Sequence, residues 1–466
     1  MVKKMQIHPF VADICQRLRK AGGRAFLAGG CVRDMWLGLS SRDFDIEVYG
    51  LPLDQVQQAI APLGRCEQVG KSFGVIKLRQ GGIEADIALP RRERKSGPGH
   101  RGFDVQVDPY LSPEVASSRR DFTINAMMYD AESGALLDFH GGRNDLEAGI
   151  LRHVSPTFAE DPLRVLRGMQ FAARFDLELD EETALLCQQL RREANTLAAE
   201  RIWAEWRKWA MAEHPARGLV VLEKSGWIEL YPELAAMRSC PQNTRWHPEG
   251  DVWTHTCLTV DQAACVATAR GWQDERRLYL VLAALCHDIG KPATTIDDGN
   301  GCIRSPGHSM EGTEINSRFM QRIGAPASVV AAIAPLIREH MTHMHGTPTK
   351  RAVRRLSHRL QPVNIALWEA LVEADASSRP PHPPARPALS WLNEAQALGH
   401  HEEKPVPIVN GRMLMAMGVQ PGPGMGKLIA AAYEAQLDGA FDNEDTARQW
   451  CRKHLRSIGE HSRTEG

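Results

Sequence analysis

A multidomain α+β chain is predicted, with a mixed sheet and helices at the N-terminus and helices throughout the remainder. Three observations predict it. Period-two alternation and a Gly-Gly turn mark strands within the first 90 residues. A Leu/Ala/Arg-rich helical pattern runs from about 150 to 240. A histidine-rich helical region then continues to about 380, where Pro380-Pro381-His382-Pro383-Pro384 breaks the chain before a helical tail. The expected divisions are therefore 1–150, 151–240, 241–380 and 381–466, and 466 residues are enough for several separate cores.

The elements follow in order. Residues 8–20 place Phe10, Ile14 and Leu18 on one side and read as a helix. A strand at 25–28 enters the turn Gly29-Gly30, and a short helix at 32–37 leaves it. Next, Phe44, Ile46 and Val48 alternate with Asp43, Asp45 and Glu47, so on a strand both aspartates share one face. Residues 75–79 and 83–88 form a hairpin across Gly81-Gly82. There Asp86 shares a face with Glu84 and is a candidate third carboxylate, the alternative being a solvent-facing hairpin position. Thr157 and Glu160 have capping-box spacing and predict a helix opening at Glu160-Asp161-Pro162-Leu163-Arg164. Asp161 and Arg164 then fall on one face, as an ion pair or as acceptor and donor fork for a base edge.

Composition narrows the function classes. Hydrophobic residues at 43% and charged residues at 24% are ordinary for a soluble globular protein. The formal net charge of -1 means that any nucleic-acid binding must come from local basic patches. No apolar run reaches membrane-span length, and the basic N-terminus lacks the apolar core of a signal peptide. Ten cysteines stand singly, without a Cys-x-x-Cys pair, which points to reduced thiols in a cytoplasm.

Two rigid carboxylates, Asp43 and Asp45, suit hard cations such as Mg²⁺, and Gly29 and Gly30 let backbone approach a triphosphate. The basic loop 91–101 can close on phosphate, Arg119 and Arg120 can neutralise it, and Asn125 can reach a ribose hydroxyl. Gly29-Gly30-Cys31-Val32-Arg33-Asp34, Asp43-Phe44-Asp45, the run 119–126, the run 160–164 and Glu200-Arg201-Ile202 occur in that order over about 200 residues. This set resembles the bacterial class II CCA-adding tRNA nucleotidyltransferases, whose fold is shared with bacterial poly(A) polymerases.

The resemblance implies a polymerase-β-like nucleotidyltransferase head, then an all-α neck, an all-α HD domain and a helical tail. It implies that Asp43 and Asp45 are catalytic and hold Mg²⁺, with Asp86 as the candidate third catalytic carboxylate beside them. Gly29, Gly30, Arg33, Arg119, Arg120 and Asn125 would cradle triphosphate and sugar. Asp161 and Arg164, with Arg167 beyond them, would bind and select CTP or ATP, and Glu200 and Arg201 would brace that helix. The tRNA 3′ end would be the other partner. The chain departs from the family at Leu137-Asp138-Phe139-His140-Gly141-Gly142, where an Asp-Pro is common, although Asp138 and Asp145 are retained.

A second chemistry is carried by His255, then His287-Asp288-Ile289-Gly290-Lys291, then Asp375. Imidazoles and carboxylates converging from separate helices suit a divalent transition metal. His308 and His340 are candidates for further ligands or phosphate contacts. This order resembles the HD phosphohydrolases, and implies phosphatase or phosphodiesterase activity, including on cyclic phosphates. The expected function is thus template-independent CCA addition coupled to hydrolysis of RNA ends. An A-adding half-enzyme, a poly(A) polymerase and an RNA-binding hydrolase with an inactive head are the competing readings. Nothing in the sequence chooses between monomer and dimer.

Overall fold

The computed structural model describes residues 7–69, 74–95, 103–299 and 302–461. They form two compact units, Met1–Leu230 and Tyr231–Gly466. Part of the basic loop at 91–101 lies outside the described residues.

The first unit begins with the helix Pro9–Lys20, whose Phe10, Ile14 and Leu18 are buried as their spacing requires. Nine strands follow within the next 120 residues or so: β1 Arg24–Ala28, β2 Asp43–Tyr49, β3 Cys66–Val69, β4 Val75–Gln80, β5 Ile83–Ala88, β6 Arg91–Lys95, β7 Phe103–Val107, β8 Met128–Asp130 and β9 Leu136–Leu137. Seven of them make one sheet in the order β3-β4-β5-β2-β1-β8-β9, while β6 and β7 pair apart. β2 and β5 run parallel and the other pairs antiparallel, so the sheet is mixed as expected.

The register decides what the central strand presents. Phe44, Ile46 and Val48 are buried on one face, while Asp43, Asp45 and Glu47 take the other. On β5, Asp86 lies directly opposite Asp45 and Glu84 opposite Asp43. Farther along this same face Phe26, Ala28, Tyr49 and Met128 pack with Ala116. That apolar floor keeps the acidic end of the strand from shifting register, since a slip of one residue would bury the aspartates.

The capping box expected at Thr157 and Glu160 does not form. A 3₁₀ turn, Pro156–Glu160, is capped by Ser155, and Asp161 is extended at φ -128° and ψ 104°. The helix starts only at Leu163, where Asp161 Oδ1 accepts a 3.1 Å hydrogen bond from the Leu163 amide. The cause is Pro162, which disfavours a helical conformation in the residue before it. Leu163–Phe175 then packs against the helices Ala199–Ala210 and Pro215–Lys224, with Trp206, Trp209 and Trp227 buried.

In the second unit the helices Val252–Ala269, Glu275–Cys286, Ala327–Glu339 and Ile365–Ser377 pack on one another, and His308–Arg322 lies on Ala327–Glu339. Leu282, Leu285 and Ile289, the expected anchors of the His-Asp pair, are buried. Gly290 has no room for a side chain, because a Cβ there would sit 2.1 Å from the carbonyl oxygen of His308. This close approach brings His308 beside Asp288. The tail helices Gly411–Ala416, Pro423–Leu437 and Glu444–His461 share a small core of their own around Leu414, Phe441 and Cys451. No helix among the described residues is long and apolar enough to cross a membrane.

Candidate active sites

In the first unit the carboxylates of Asp43, Asp45 and Asp86 meet on neighbouring strands. Asp86 Oδ2 is 3.0 Å from Lys77, while its Oδ1 is buried and has no hydrogen-bond partner. An unsatisfied buried carboxylate oxygen beside two more carboxylates is a donor set that fits a hard cation. Asp45 reaches solvent, yet the protein around it and the charges of Asp86, Glu47 and Asp43 hold its carboxyl above the ordinary value, against the pull of Arg120. Because that side chain is open to water, charge crowding counts for more here than lost hydration.

The arginine pair is fixed by Glu47. Arg119 and Arg120 each donate to Glu47 Oε1 at 3.1 Å, and Tyr49 donates to Oε2 at 2.8 Å. Burial pushes the Glu47 carboxyl up, but Arg120, Arg119 and the Tyr49 hydroxyl outweigh it and hold it below the usual range. Gly29, at φ +76°, lies against both groups. A Cβ there would come within 2.6 Å of an Arg120 nitrogen and 3.5 Å of Asp45 Oδ2. Gly29→Ala combines this clash with a left-handed backbone, and should cost about 1–3 kcal/mol of stability. A thermal melt of that variant, with nucleotide addition measured in parallel, checks this; an unchanged midpoint would show that Arg120 moves aside freely.

Two of the expected triphosphate contacts are placed differently. Arg33 is buried, donates to Asp34 Oδ1 at 2.7 and 3.0 Å and to Asn125 Oδ1, and lies 4.2 Å from the centre of the Phe175 ring. Asn125 also donates to Asp121 at 3.0 Å. These side chains tie the helix Gly30–Leu37, which follows the glycine turn, to the 3₁₀ turn Thr123–Asn125. Gly30 opens the helix Gly30–Leu37 beside them.

Asp161 accepts from Arg201 at 2.8 Å, so Arg201 braces the segment as expected, while Glu200 is exposed. Arg164 donates to the carbonyl oxygens of Thr157 at 2.9 Å and Arg119 at 2.7 Å. Arg167 is paired with Asp121. At the departure from the family pattern, Asp138 accepts from the amides of Gly142 and Arg143, and Asp145 accepts from Thr123. The anchoring carboxylates Glu47 and Asp121 were not singled out from the sequence. Glu47 shares the period-two face of Asp43 and Asp45, but only its burial reveals what it holds.

The second unit brings all six expected ligands together. His255 Nε2 is 3.1 Å from Asp375 Oδ1 and 3.3 Å from His287 Nε2. Asp288 Oδ2 is 3.2 Å from His287 Nε2, and its Oδ1 is 3.4 Å from His308 Nε2 and 3.9 Å from His340 Nε2. Asp288 thus spans two groups, one with His255 and His287, the other with His308 and His340. The Nδ1 atoms of His287, His308 and His340 lie 2.6–2.8 Å from backbone carbonyls. Each Nδ1 is thus committed to a carbonyl oxygen, and each Nε2 is turned toward the cluster. His255 and His287 face each other through Nε2, and so do His308 and His340 at 3.2 Å. Burial pulls the His287 imidazole down, but Asp288 and Asp375 outweigh it and hold it above its ordinary value, so a proton fills the gap that a divalent metal would take. The donor set around Asp288 fits such a metal. Burial and the neighbouring His287 push the His340 imidazole down to about 3, which keeps it neutral and able to ligate.

Glu249 completes the arrangement and carries no signal in the sequence, since it lies in an aperiodic loop. Its side chain is 1% exposed, and Oε1 lies 2.7 Å from His255 Nδ1 and 2.8 Å from His247 Nδ1. It directs the His255 proton to Nδ1 and the lone pair to the cluster. Glu249→Gln should weaken metal binding by about 10- to 100-fold. Titration of metal-free protein with divalent cations by calorimetry measures this, and equal affinities would remove Glu249 from the site.

Among known proteins, the multifunctional CCA protein of Pasteurella multocida (strain Pm70) is 38% identical over 346 residues, covering 72% of this chain and 79% of the relative. That of Neisseria meningitidis (strain Z2491) is 40% identical over 307 residues, covering 65% and 69%. This chain belongs to the multifunctional CCA proteins. They are CCA-adding tRNA nucleotidyltransferases with an HD domain, and three family models match accordingly. The poly A polymerase head domain covers residues 25–152, the probable RNA and SrmB-binding site of polymerase A covers 176–237, and the HD domain covers 252–370. In fold, the chain resembles the Thermotoga maritima CCA-adding enzyme complexed with tRNA, at TM-score 0.62, 19% identity and 96% coverage of both chains. It also resembles the Bacillus stearothermophilus CCA-adding enzyme in complex with CTP, at TM-score 0.64 and 20% identity, covering 98% of this chain and all of that one. Both modules of this multifunctional CCA protein belong to families that use divalent metal.

Proposed function

We propose that the first unit adds CMP and then AMP to the 3′ end of tRNA from CTP and ATP, without a template strand. The observation that carries this is the alignment of Asp43, Asp45 and Asp86 on one face of β2 and β5, beside Gly29 and Arg120. Mg²⁺ held by Asp43 and Asp45 would activate the attacking hydroxyl and stabilise the leaving pyrophosphate. Arg119 and Arg120, positioned by Glu47, set fixed positive charge beside the carboxylates for the phosphates. Asp161 and Arg164 are the base-reading pair. Each terminal nitrogen of Arg164 uses one N–H on a carbonyl and keeps one for a nucleobase. Arg33 and Asn125 act by holding the helix that follows the glycine turn. The enzyme works in the cytoplasm on this reading, which ten cysteines outside any disulfide support.

The second unit, on the same reading, hydrolyses phosphate esters at RNA ends. The donor set around Asp288 would hold a pair of transition-metal ions, which make hydroxide available near neutral pH. Lys291, 2.7 Å from Asp288, and Arg379, paired with Asp375, place positive charge at the rim for a phosphate.

Nucleotide incorporation tests the main claim. Three tRNA transcripts, ending before CCA, after one C and after both, would each receive CTP, ATP or both. Two Cs followed by one A, absent in Asp43→Ala/Asp45→Ala protein, is the expected result. Addition of A alone would make it a half-enzyme, and a long A tail would make it a poly(A) polymerase.

A further inference from the structure

The cavity beside the histidine cluster exceeds what a phosphate requires. Its volume is about 840 Å³, within the usual range for an organic ligand, and its wall includes Asp288, His308, His340 and Asp375. The rest of that wall is largely apolar, with Trp246, Met341, Met344 and Pro383. Trp246 is 59% exposed and Met344 65%. Large hydrophobic side chains left open around one concavity mark a binding surface.

The tryptophan is not free to wander. The amides of Trp246 and His247 both donate to the Asn243 carbonyl, at 3.0 and 2.9 Å. Lys291 donates to Gln242 Oε1 at 2.7 Å, anchoring the start of this loop. His247, the next residue, shares Glu249 with His255. The Trp246 backbone is therefore tied to the cluster ligand His255 through two side chains, those of His247 and Glu249. The Arg245 guanidinium lies 5.1 Å from the centre of the Trp246 ring, occupying one face. Arg304, Lys291 and Arg379 are further cations on the cavity wall.

We propose that Trp246 is a stacking platform for the nucleobase of an RNA end whose phosphate is set at the histidine cluster. The proposal rests on the hydrolase reading of this unit. An aromatic plane with arginines beside it suits a base joined to a phosphate, whereas an aliphatic ligand would leave the cations unused. Base stacking accepts every base, so the platform separates nucleotides from other phosphate esters rather than one base from another.

The experiment compares two probes on the full-length protein, each supplied with Mg²⁺, Mn²⁺, Co²⁺ or Ni²⁺. One is a nucleoside 2′,3′-cyclic phosphate and the other is glycerol 1,2-cyclic phosphate, which has no base. Trp246→Ala should raise KM for the nucleoside probe by roughly 5- to 100-fold with kcat nearly unchanged, and leave the glycerol probe unaffected. Trp246→Phe, which retains an aromatic face, should recover most of the loss. Equal effects on both probes, or on neither, would overturn the platform while leaving the hydrolase intact. A second readout needs neither metal nor turnover. The indole N–H resonance of Trp246, assigned by its loss in Trp246→Phe, should shift when a nucleoside monophosphate is added to metal-free ¹⁵N-labelled protein. If wild type hydrolyses neither probe with any cation, the hydrolase reading fails. The resonance then decides the platform alone: a shift sustains it and a fixed signal overturns it.

Discussion

Asp45→Asn is expected to reduce nucleotide addition by about a thousandfold or more while making the metal-free protein harder to melt. The two effects have one origin. Asp45 is crowded by Asp86, Glu47 and Asp43, so its folded-state carboxyl titrates above its unfolded value. Such a group costs stability once the pH exceeds the unfolded carboxylate value, near 3.9, because the folded state must then carry an unfavourable charge. The amide removes that charge and keeps the shape. The gain is reduced by solvent screening, because the Asp45 side chain is exposed, and should raise the midpoint only slightly. Added Mg²⁺ should stabilise wild type by mass action and leave the variant nearly unmoved. Melts with and without Mg²⁺, alongside the incorporation assay, check the set. A variant that melts earlier than wild type without metal would mean that the carboxylates are held together by something other than a cation.

The second large effect concerns Asp288. Its two oxygens face different imidazole groups, so Asp288→Ala should lose both metal ions together, from two equivalents to none. His308→Ala removes a ligand from one group only and should retain one equivalent. Metal content after gel filtration of proteins loaded with Mn²⁺, Co²⁺ or Ni²⁺ distinguishes these cases. Retention of one tightly held ion by Asp288→Ala would show that the groups are independent and that the carboxylate does not bridge them. Wild type holding a single equivalent would reduce the site to a mononuclear one. Lys291, 12% exposed, can extend toward water in the variant, so the loss need not unfold the protein.

The reach of sequence reading here follows from geometry. Asp43, Asp45 and Asp86 could be placed on one face because strand periodicity is strict and Gly81-Gly82 sets the hairpin register. The His-Asp pair is legible because it directly follows the apolar end of the helix Glu275–Cys286. The helix start at 160–164 was misread because capping spacing was weighed without Pro162, although Asp161-Pro162 carries the contrary signal in plain view. Arg33 and Asn125 look like polar ligands in a string of letters. That they spend their hydrogen bonds on each other and on Asp34 and Asp121 depends on burial, which a string does not show. Glu249 is the extreme case, because its partners are imidazoles brought to it by the loop and by a separate helix.

Arg119 joins two duties in one residue. Its side chain grips Glu47, two positions along the strand from Asp45, while its backbone carbonyl accepts from Arg164. On the proposed reading, the group that would read the base and the strand that holds the carboxylates are thus linked through a single amino acid. A nucleotide drawing Arg164 toward itself would then bear on Arg119, whose side chain is bonded to Glu47 two positions from Asp45. Accuracy and speed in this head are then not separate traits that evolution or mutagenesis can tune one at a time. A variant selected for a relaxed choice of base should turn over at an altered rate with the correct one as well.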